Sequence, residues 1–534
     1  MRRTITLLAV GATLLGGCKA TIPDDTFACT LDSECPDGFA CSGGFCRAGT
    51  VGDAGSRDAG DVDAGSRDAG DVDAGSRDAG DVDAGDVDAG SRDAGSGDAG
   101  SGDAGPGEPE DTLAACADGV DNDGDGQTDC DDPGCCSTGA CMVGVGACEC
   151  PPVVARTEVL VPAGDLAPGT VWTCDTNYAL LGVVYLATGQ LTIGPGTQVR
   201  GEHQSALVIQ RDARLEAVGT ADRPIAFTSN RPPGSRAAGD WGGLLLLGNA
   251  PINAPGGVNT LPLLDPARVG YGGTDAAHDC GHLEYVVSSY AGDPFPAGFG
   301  LANIQIVACG TGTIVTHAQT YAGADTGVYV AGGTVRLDHL MTWANGVDGF
   351  FYSEGYTGGL QYAFITDNGN NGLAGRTSFA DPTRRPASSP QLWNLTITDS
   401  GGVAMSFVSE SGGHVGNSLF GQHAMTCLEV NDTSGPLIPT FLSVRNTIFW
   451  NCGGPGGMAW TVGASAAVFE TDPSYGNYFE DHGVSGPGWV PSVGARAARG
   501  GGAAPAGYDT TTYLGAFEPG VPAWTAGWTD TTID

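Results

Sequence analysis

The chain has 534 residues, with 62 acidic against 23 basic side chains, for a net charge of −39. That balance excludes a general nucleic-acid binder, which needs a basic face. It also argues against anionic lipid headgroups as partners, and it favours solubility and cations.

Met1-Arg2-Arg3 is a short basic head, followed by the apolar run Ile5–Leu15. The run is too short to span a bilayer and reads as a signal peptide over 1–17. Leu15-Gly-Gly-Cys18 resembles a bacterial lipobox. The resemblance implies cleavage before Cys18 and lipidation of that residue, which anchors the chain stably because several acyl chains are attached. Lys19 stands where an inner-membrane retention signal would carry Asp. The expected location is therefore the outer membrane, surface-exposed, with contact through lipidated Cys18. Removal of 1–17 takes away two arginines and moves the net charge to −41.

Residues 18–50 hold Cys29, Cys35, Cys41 and Cys46 in a segment too short for a core of its own. Two disulfides are the expected staple, with three pairings open. From 51 to 110 the chain repeats Asp-Ala-Gly, filled by Ser-Arg or Asp-Val. It has almost no large apolar residue and a strong negative charge, so it is expected to be a disordered tether. Such a chain spans on the order of 40 Å, more with self-repulsion.

Residues 111–150 differ. Asp121, Asp123, Asp125, Asp129 and Asp132 occupy positions 1, 3, 5, 9 and 12 of a twelve-residue loop, with Gly126 at 6 and the Gln127 carbonyl at 7. A hard cation wants six to eight oxygens, and this is calcium-loop spacing. Asp132 replaces the usual Glu, which shortens the bidentate reach. Cys116 and Cys130 flank the loop instead of amphipathic helices, so it resembles the cysteine-bracketed calcium loops of extracellular repeat proteins. Calcium is the expected cofactor. Cys135, Cys136, Cys141, Cys148 and Cys150 follow. In an exported chain they are expected in disulfides rather than on zinc.

From 151 to 534 the composition shifts to Gly, Ala, Val, Leu and Thr. Thr313-Ile-Val-Thr-His317, Val335-Arg-Leu-Asp-His339 and Leu360-Gln-Tyr-Ala-Phe-Ile365 begin successive rows, and Leu392-Trp-Asn-Leu-Thr-Ile397 begins a fourth. His317 and His339 are 22 residues apart, as are Gly327 and Gly349, and Gly372 follows 23 later. A fixed period in the low twenties with alternating apolar runs and Gly or Asn corners is a solenoid signature. The fold class is therefore all-β, a right-handed parallel β-helix preceded by the acidic tether and the small disulfide-rich modules. Roughly a dozen coils are expected, in a rod on the order of 50 Å long at ~4.8 Å per coil. Residues 156–190 and the stretch from Tyr508 are the expected caps, since open ends expose strand edges. Arg376 to Pro390 reads as a loop thrown out between coils, a binding lip.

Asp240-Trp-Gly-Gly-Leu, Leu283-Glu-Tyr-Val-Val, Gly332-Gly-Thr-Val335, Glu354-Gly-Tyr-Thr-Gly358 and Leu514-Gly-Ala-Phe517 with Trp524 and Trp528 appear in register. Together they resemble a family of secreted or lipid-anchored bacterial surface lipoproteins with a right-handed, pectin-lyase-like β-helix and no assigned activity. The resemblance covers roughly Gly169 onward and implies a surface β-helix. Where that family carries Asp-Asp pairs before Gly corners, this chain has Asp325-Thr326 and Val347-Asp348. Cys280 and Cys309 stand where the family usually has Ser and Val, which implies one bridge between neighbouring strands. Cys427 and Cys452 lie 25 residues apart, about one coil, and are expected to form another. Cys174 is then expected to bridge to the seven cysteines of 116–150.

Asp367 and Asp399 follow Ile-Thr in consecutive rows, and Asp348 and Glu354 are expected near one face. Paired carboxylates can work as acid and base on glycosides. The competing use of such corner residues is to hydrogen-bond turns and stack in ladders. His317 and His339 read as a corner stack. Trp343, Tyr352 and Tyr356 are placed either on sugar rings or in the core. The expected function is a lipid-anchored, surface-displayed binding or structural adhesion module, with surface polysaccharide or another cell-surface component as partner. The alternative is a polysaccharide lyase or glycoside hydrolase built on Asp348, Asp367 and Asp399.

Overall fold

The structure is a computed structural model. It describes residues 39–42, 45–48 and 110–530, apart from 263, 296–299, 424, 454–460 and 485–488. The chain divides into two compact units, Met1–Ala99 and Gly100–Asp534. In the first, Phe39–Ser42 and Phe45–Ala48 form an antiparallel hairpin in which Cys41 is opposite Cys46. The signal segment, Cys18, Cys29, Cys35 and the acidic tether lie outside the described residues.

The second unit is a parallel β-helix. One face stacks twelve parallel strands from Thr157–Val161 to Tyr478–Phe479. A second face stacks Ile304–Val307, Val328–Ala331, Phe350–Ser353, Leu373–Arg376 and Met405–Val408. The long strands Gly281–Ser289, Ile314–Tyr321, Arg336–Trp343 and Gly359–Thr366 bend part way, which provides a third face.

The bends explain the sequence period. Tyr285, His317, His339 and Tyr362 all have φ near +50°, and the strand register skips them. A second left-handed corner recurs at Tyr290, Ala322, Ala344, Asp367 and Asp399, and Glu354 sits at a third. One left-handed residue turns an extended chain sharply without a long loop. The recurring glycines answer a different demand. A Cβ on Gly349 would lie 2.5 Å from Thr342 Oγ1 and 2.6 Å from Ile365 Cγ2, so only glycine fits there.

Apolar residues fill the tube in register. Val315, Leu337, Leu360 and Leu392 stack in one buried column, and Val328, Phe350, Leu373 and Met405 in another. Inside a turn, Asn303 Nδ2 donates to Asn345 Oδ1 at 2.7 Å, and Asn345 Nδ2 donates to Asn368 Oδ1 at 3.0 Å. All three asparagines are buried, and the ladder satisfies polar groups that would otherwise destabilise the corner.

Disulfides join Cys116–Cys135, Cys130–Cys141 and Cys136–Cys148 within the Asp-rich module. Cys150–Cys174 ties that module to an early coil, while Cys280–Cys309 and Cys427–Cys452 link coil to coil. The segment from Tyr508 does not sit over the end of the stack as a cap. It runs back along the flank as a strap. Gln361 exchanges two hydrogen bonds with the Asp509 backbone, and Gln319 exchanges two with the Asp530 backbone. The outward amides of these coils need partners, and the strap supplies them. Trp524 and Trp528 then press edge-on against the stack of Tyr285, His317, His339 and Tyr362.

Candidate functional site

A cleft of about 1030 Å³ opens over the second face. Its floor follows from strand register. Gln305, Tyr329 and Phe351 are paired neighbours in successive coils, at positions between inward-facing residues. Two insertions supply walls. Residues 254–262 with Tyr271 form one, and Arg376, Ser378, Phe379, Ala380 and Arg384 form the other. Asn253 fastens the two insertions together, its Nδ2 donating to the carbonyls of Thr377 and Pro386.

Three carboxyl groups line the cleft. Glu354, at its left-handed corner, accepts from Tyr271 O–H at 2.9 Å and from Asn259 Nδ2 at 3.3 Å. Burial raises its pKa against those bonds. Asp348 accepts from Asn370 and from the Asn371 backbone and side chain, all on Oδ1. Burial raises its pKa too, and Asp325 adds to the effect. Asp325 is likewise raised by burial. Tyr271 and Tyr329 are pushed up chiefly by burial and then by the charge of Glu354. On the opposite wall the Arg376 guanidinium lies 4.9 Å from the Phe379 ring centre, with Nε buried and without a partner. Neither Arg376 nor Arg384 has an ion pair among the described residues. The cleft thus offers aromatic surface, carboxyl groups whose charge burial disfavours, and two guanidinium groups without an ion pair among the described residues.

The three acids singled out for an enzyme do not share a groove. Asp348 lines the large cleft, while Asp367 and Asp399 line a smaller one of about 430 Å³ beside Trp343, over a different face. Tyr352 and Tyr356 are fully buried and bond the carbonyls of Gly412 and Val335. Asp348 and Glu354 meet the same cleft from the two ends of strand Phe350–Ser353. Six residues at ~3.3 Å each allow up to about 20 Å between their Cα atoms. A hydrolytic carboxyl pair needs about 5–9.5 Å. His317 and His339 stack with ring centres 4.4 Å apart, and burial together with His339 lowers the His317 pKa to about 4.

Tyr271 and Asn259 were not legible as site residues, whereas Phe379 lies in the 376–390 segment read as a binding lip. All three come from insertions whose landing place depends on contacts far along the chain. The composition of the 376–390 segment was the available signal for its wall; nothing comparable marked Tyr271.

In the Asp-rich module, carboxylate oxygens of Asp121, Asp123 and Asp125 lie within 4.8 Å of one another. Asp129 accepts from the Gly119 N–H, and Asp132 caps the short helix Pro133–Ser137 through Gly134 N–H. Those two are therefore not gathered with the first three. Glu110, only 1 % exposed, accepts from the N–H groups of Asn122 and Asp129 and so holds both ends of the loop. It stands just before the module's expected start. No helix among the described residues is long and apolar enough to cross a membrane.

No curated protein matches the sequence significantly. Among solved structures, the A-module of the Azotobacter vinelandii mannuronan C-5 epimerase AlgE6 is similar over 58 % of this chain and 79 % of its own, at 13 % identity and a TM-score of 0.22. The profile described as pectate-lyase-like beta helix domain matches residues 164–434, the coils that carry the cleft and its insertions. The chain belongs to the family of proteins with a pectate-lyase-like β-helix domain.

Proposed function

We propose that this protein is a lipid-anchored, surface-displayed β-helix that binds polysaccharide in the cleft over Tyr329 and Phe351. One observation carries the reading: aromatic floor and wall residues converge with Arg376 and Arg384, neither in an ion pair among the described residues, and with three carboxyl groups in one cleft of about 1030 Å³. Sugar rings stack on aromatic faces, and their hydroxyls bond carboxyl and guanidinium groups. Binding is favoured over cleavage because Asp348, Asp367 and Asp399 have no common groove.

Anchoring through Cys18 at the outer membrane belongs to the same proposal and is supported by the lipobox resemblance of Leu15-Gly-Gly-Cys18. So does calcium in the 121–132 loop, supported by the clustered carboxylates of Asp121, Asp123 and Asp125; the spacing adds the Gln127 carbonyl, Asp129 and Asp132, of which the last two would have to leave Gly119 and Gly134 to join the ion.

The test is calorimetry of the full chain against neutral, uronate and sulfated polysaccharides, with product analysis of each mixture. Binding without chain cleavage, weakened about tenfold in Phe351→Ala, is the expected result. Absence of binding across the panel refutes the reading. Cleavage that Glu354→Gln abolishes replaces it with the lyase or hydrolase alternative.

A further inference from the structure

The smaller groove has a different chemistry from the cleft, and it arises from a break in a ladder. Tyr321 and Trp343 are register neighbours, and their rings stack with centres 5.9 Å apart. The next residues in that column are Thr366 and Thr398, whose hydroxyls are 3.1 Å apart. The column therefore steps down from a large ring to small side chains. Trp343 and Thr366 border the groove that this step leaves. Trp489 closes the space from another segment, its ring centre 6.1 Å from that of Phe364. Met341 adds a polarisable wall.

The corner residues after the threonines are Asp367 and Asp399, both in the left-handed conformation. Thr366 pairs with Thr398, so these two carboxyls belong to adjacent coils at the same height. The Asp367 carboxylate has no hydrogen bond or ion pair among the described residues, and Asp399 is held only by Thr398. No ion pair holds either of them among the described residues, and the charge on Asp367 joins burial in raising the Asp399 pKa. Two carboxylates at the mouth of an indole-walled groove form an arrangement that attracts positive charge. Ring faces stabilise a cation within about 6 Å of their centres, and a nearby carboxylate adds to that.

We propose that the groove between Trp343 and Trp489 is a second binding site, for an organic ammonium group, with Asp367 and Asp399 as its counter-charges. The volume of about 430 Å³ suits a small headgroup or one amino sugar. This site is independent of the polysaccharide cleft and stands or falls separately.

The test uses the full chain with three probes: choline, glucosamine and 3,3-dimethyl-1-butanol, the uncharged isostere of choline. Binding is read by saturation-transfer NMR and by quenching of tryptophan fluorescence. At least one of the two ammonium probes is expected to bind, and the isostere at least tenfold more weakly. Choline alone identifies a quaternary ammonium source, and glucosamine alone an amino sugar. Asp367→Asn/Asp399→Asn alters two exposed side chains and is expected to fold, as circular dichroism checks, while losing tenfold or more in affinity. Trp343→Ala is expected to remove the quenching. The proposal is overturned if neither ammonium probe binds, if the isostere binds as well as choline, or if the double variant binds like the parent.

Discussion

His423 makes stability depend on pH in a way that can be isolated. It is the last residue of strand Leu419–His423, only 1 % exposed, and its Nε2 bonds the Ile397 carbonyl at 3.1 Å. A carbonyl only accepts, so Nε2 carries the proton, and burial disfavours a second one on Nδ1. Burial lowers its pKa from 6.5 to about 4. Between those values the unfolded chain binds a proton that the folded chain does not. Stability is therefore fully present above pH 6.5 and falls as the pH drops towards 4. At ~1.4 kcal/mol per pH unit the loss is about 3 kcal/mol from this residue. His423→Gln keeps a donor for Ile397 and cannot be charged. Urea unfolding followed by tryptophan fluorescence at pH 7, 5.5 and 4 should show the parent losing about 3 kcal/mol more than the variant over that range. Parallel curves for the two proteins would refute the argument.

Two further outcomes are expected. Asn345→Ala removes the middle rung of the buried asparagine ladder and strands Asn303 Nδ2 and the Gly323 N–H, while Asn368 Oδ1 keeps the backbone N–H of residue 345, so it should cost roughly 2–4 kcal/mol in chemical denaturation, whereas Asn370→Ala, at an exposed position, should cost much less. Calorimetry with calcium should show one ion bound per chain, and Asp123→Asn should weaken it by tenfold or more; heat unchanged in that variant would remove the assignment.

Part of the fold could be read from the sequence because its cause is local. Gly327 and Gly349 repeat at 22 residues because a Cβ at this corner of each coil would strike a packed threonine hydroxyl and the next coil. Alternating apolar residues in each row gave the inward columns for the same reason. What could not be read was which face a corner residue serves. Asp348 and Asp367 are 19 residues apart and look alike in the rows, but a turn places one over the cleft and the other over the groove. Equally, Tyr271 reaches Glu354 across 83 residues, and no periodicity encodes such a contact. The Asp-rich loop shows the same limit. Its spacing is visible, but Glu110, which gathers its two ends, lies outside the pattern.

The strap changes what kind of object the stack is. A solenoid held only by neighbouring coils behaves as a row of weakly coupled steps, and its stability can be lost one step at a time from either end. Here Asp530 is hydrogen-bonded to Gln319 across 211 residues, and Asp509 to Gln361 across 148. Coils between 319 and the last strand at Tyr478–Phe479 are thereby enclosed in a closed circuit of chain. Fraying of the distal coils cannot spread inward without first breaking the clasp, and the clasp cannot form until the middle coils exist to receive it. The distal half of the rod should therefore melt as one cooperative block, and hydrogen exchange should find its coils protected to a common level rather than along a gradient.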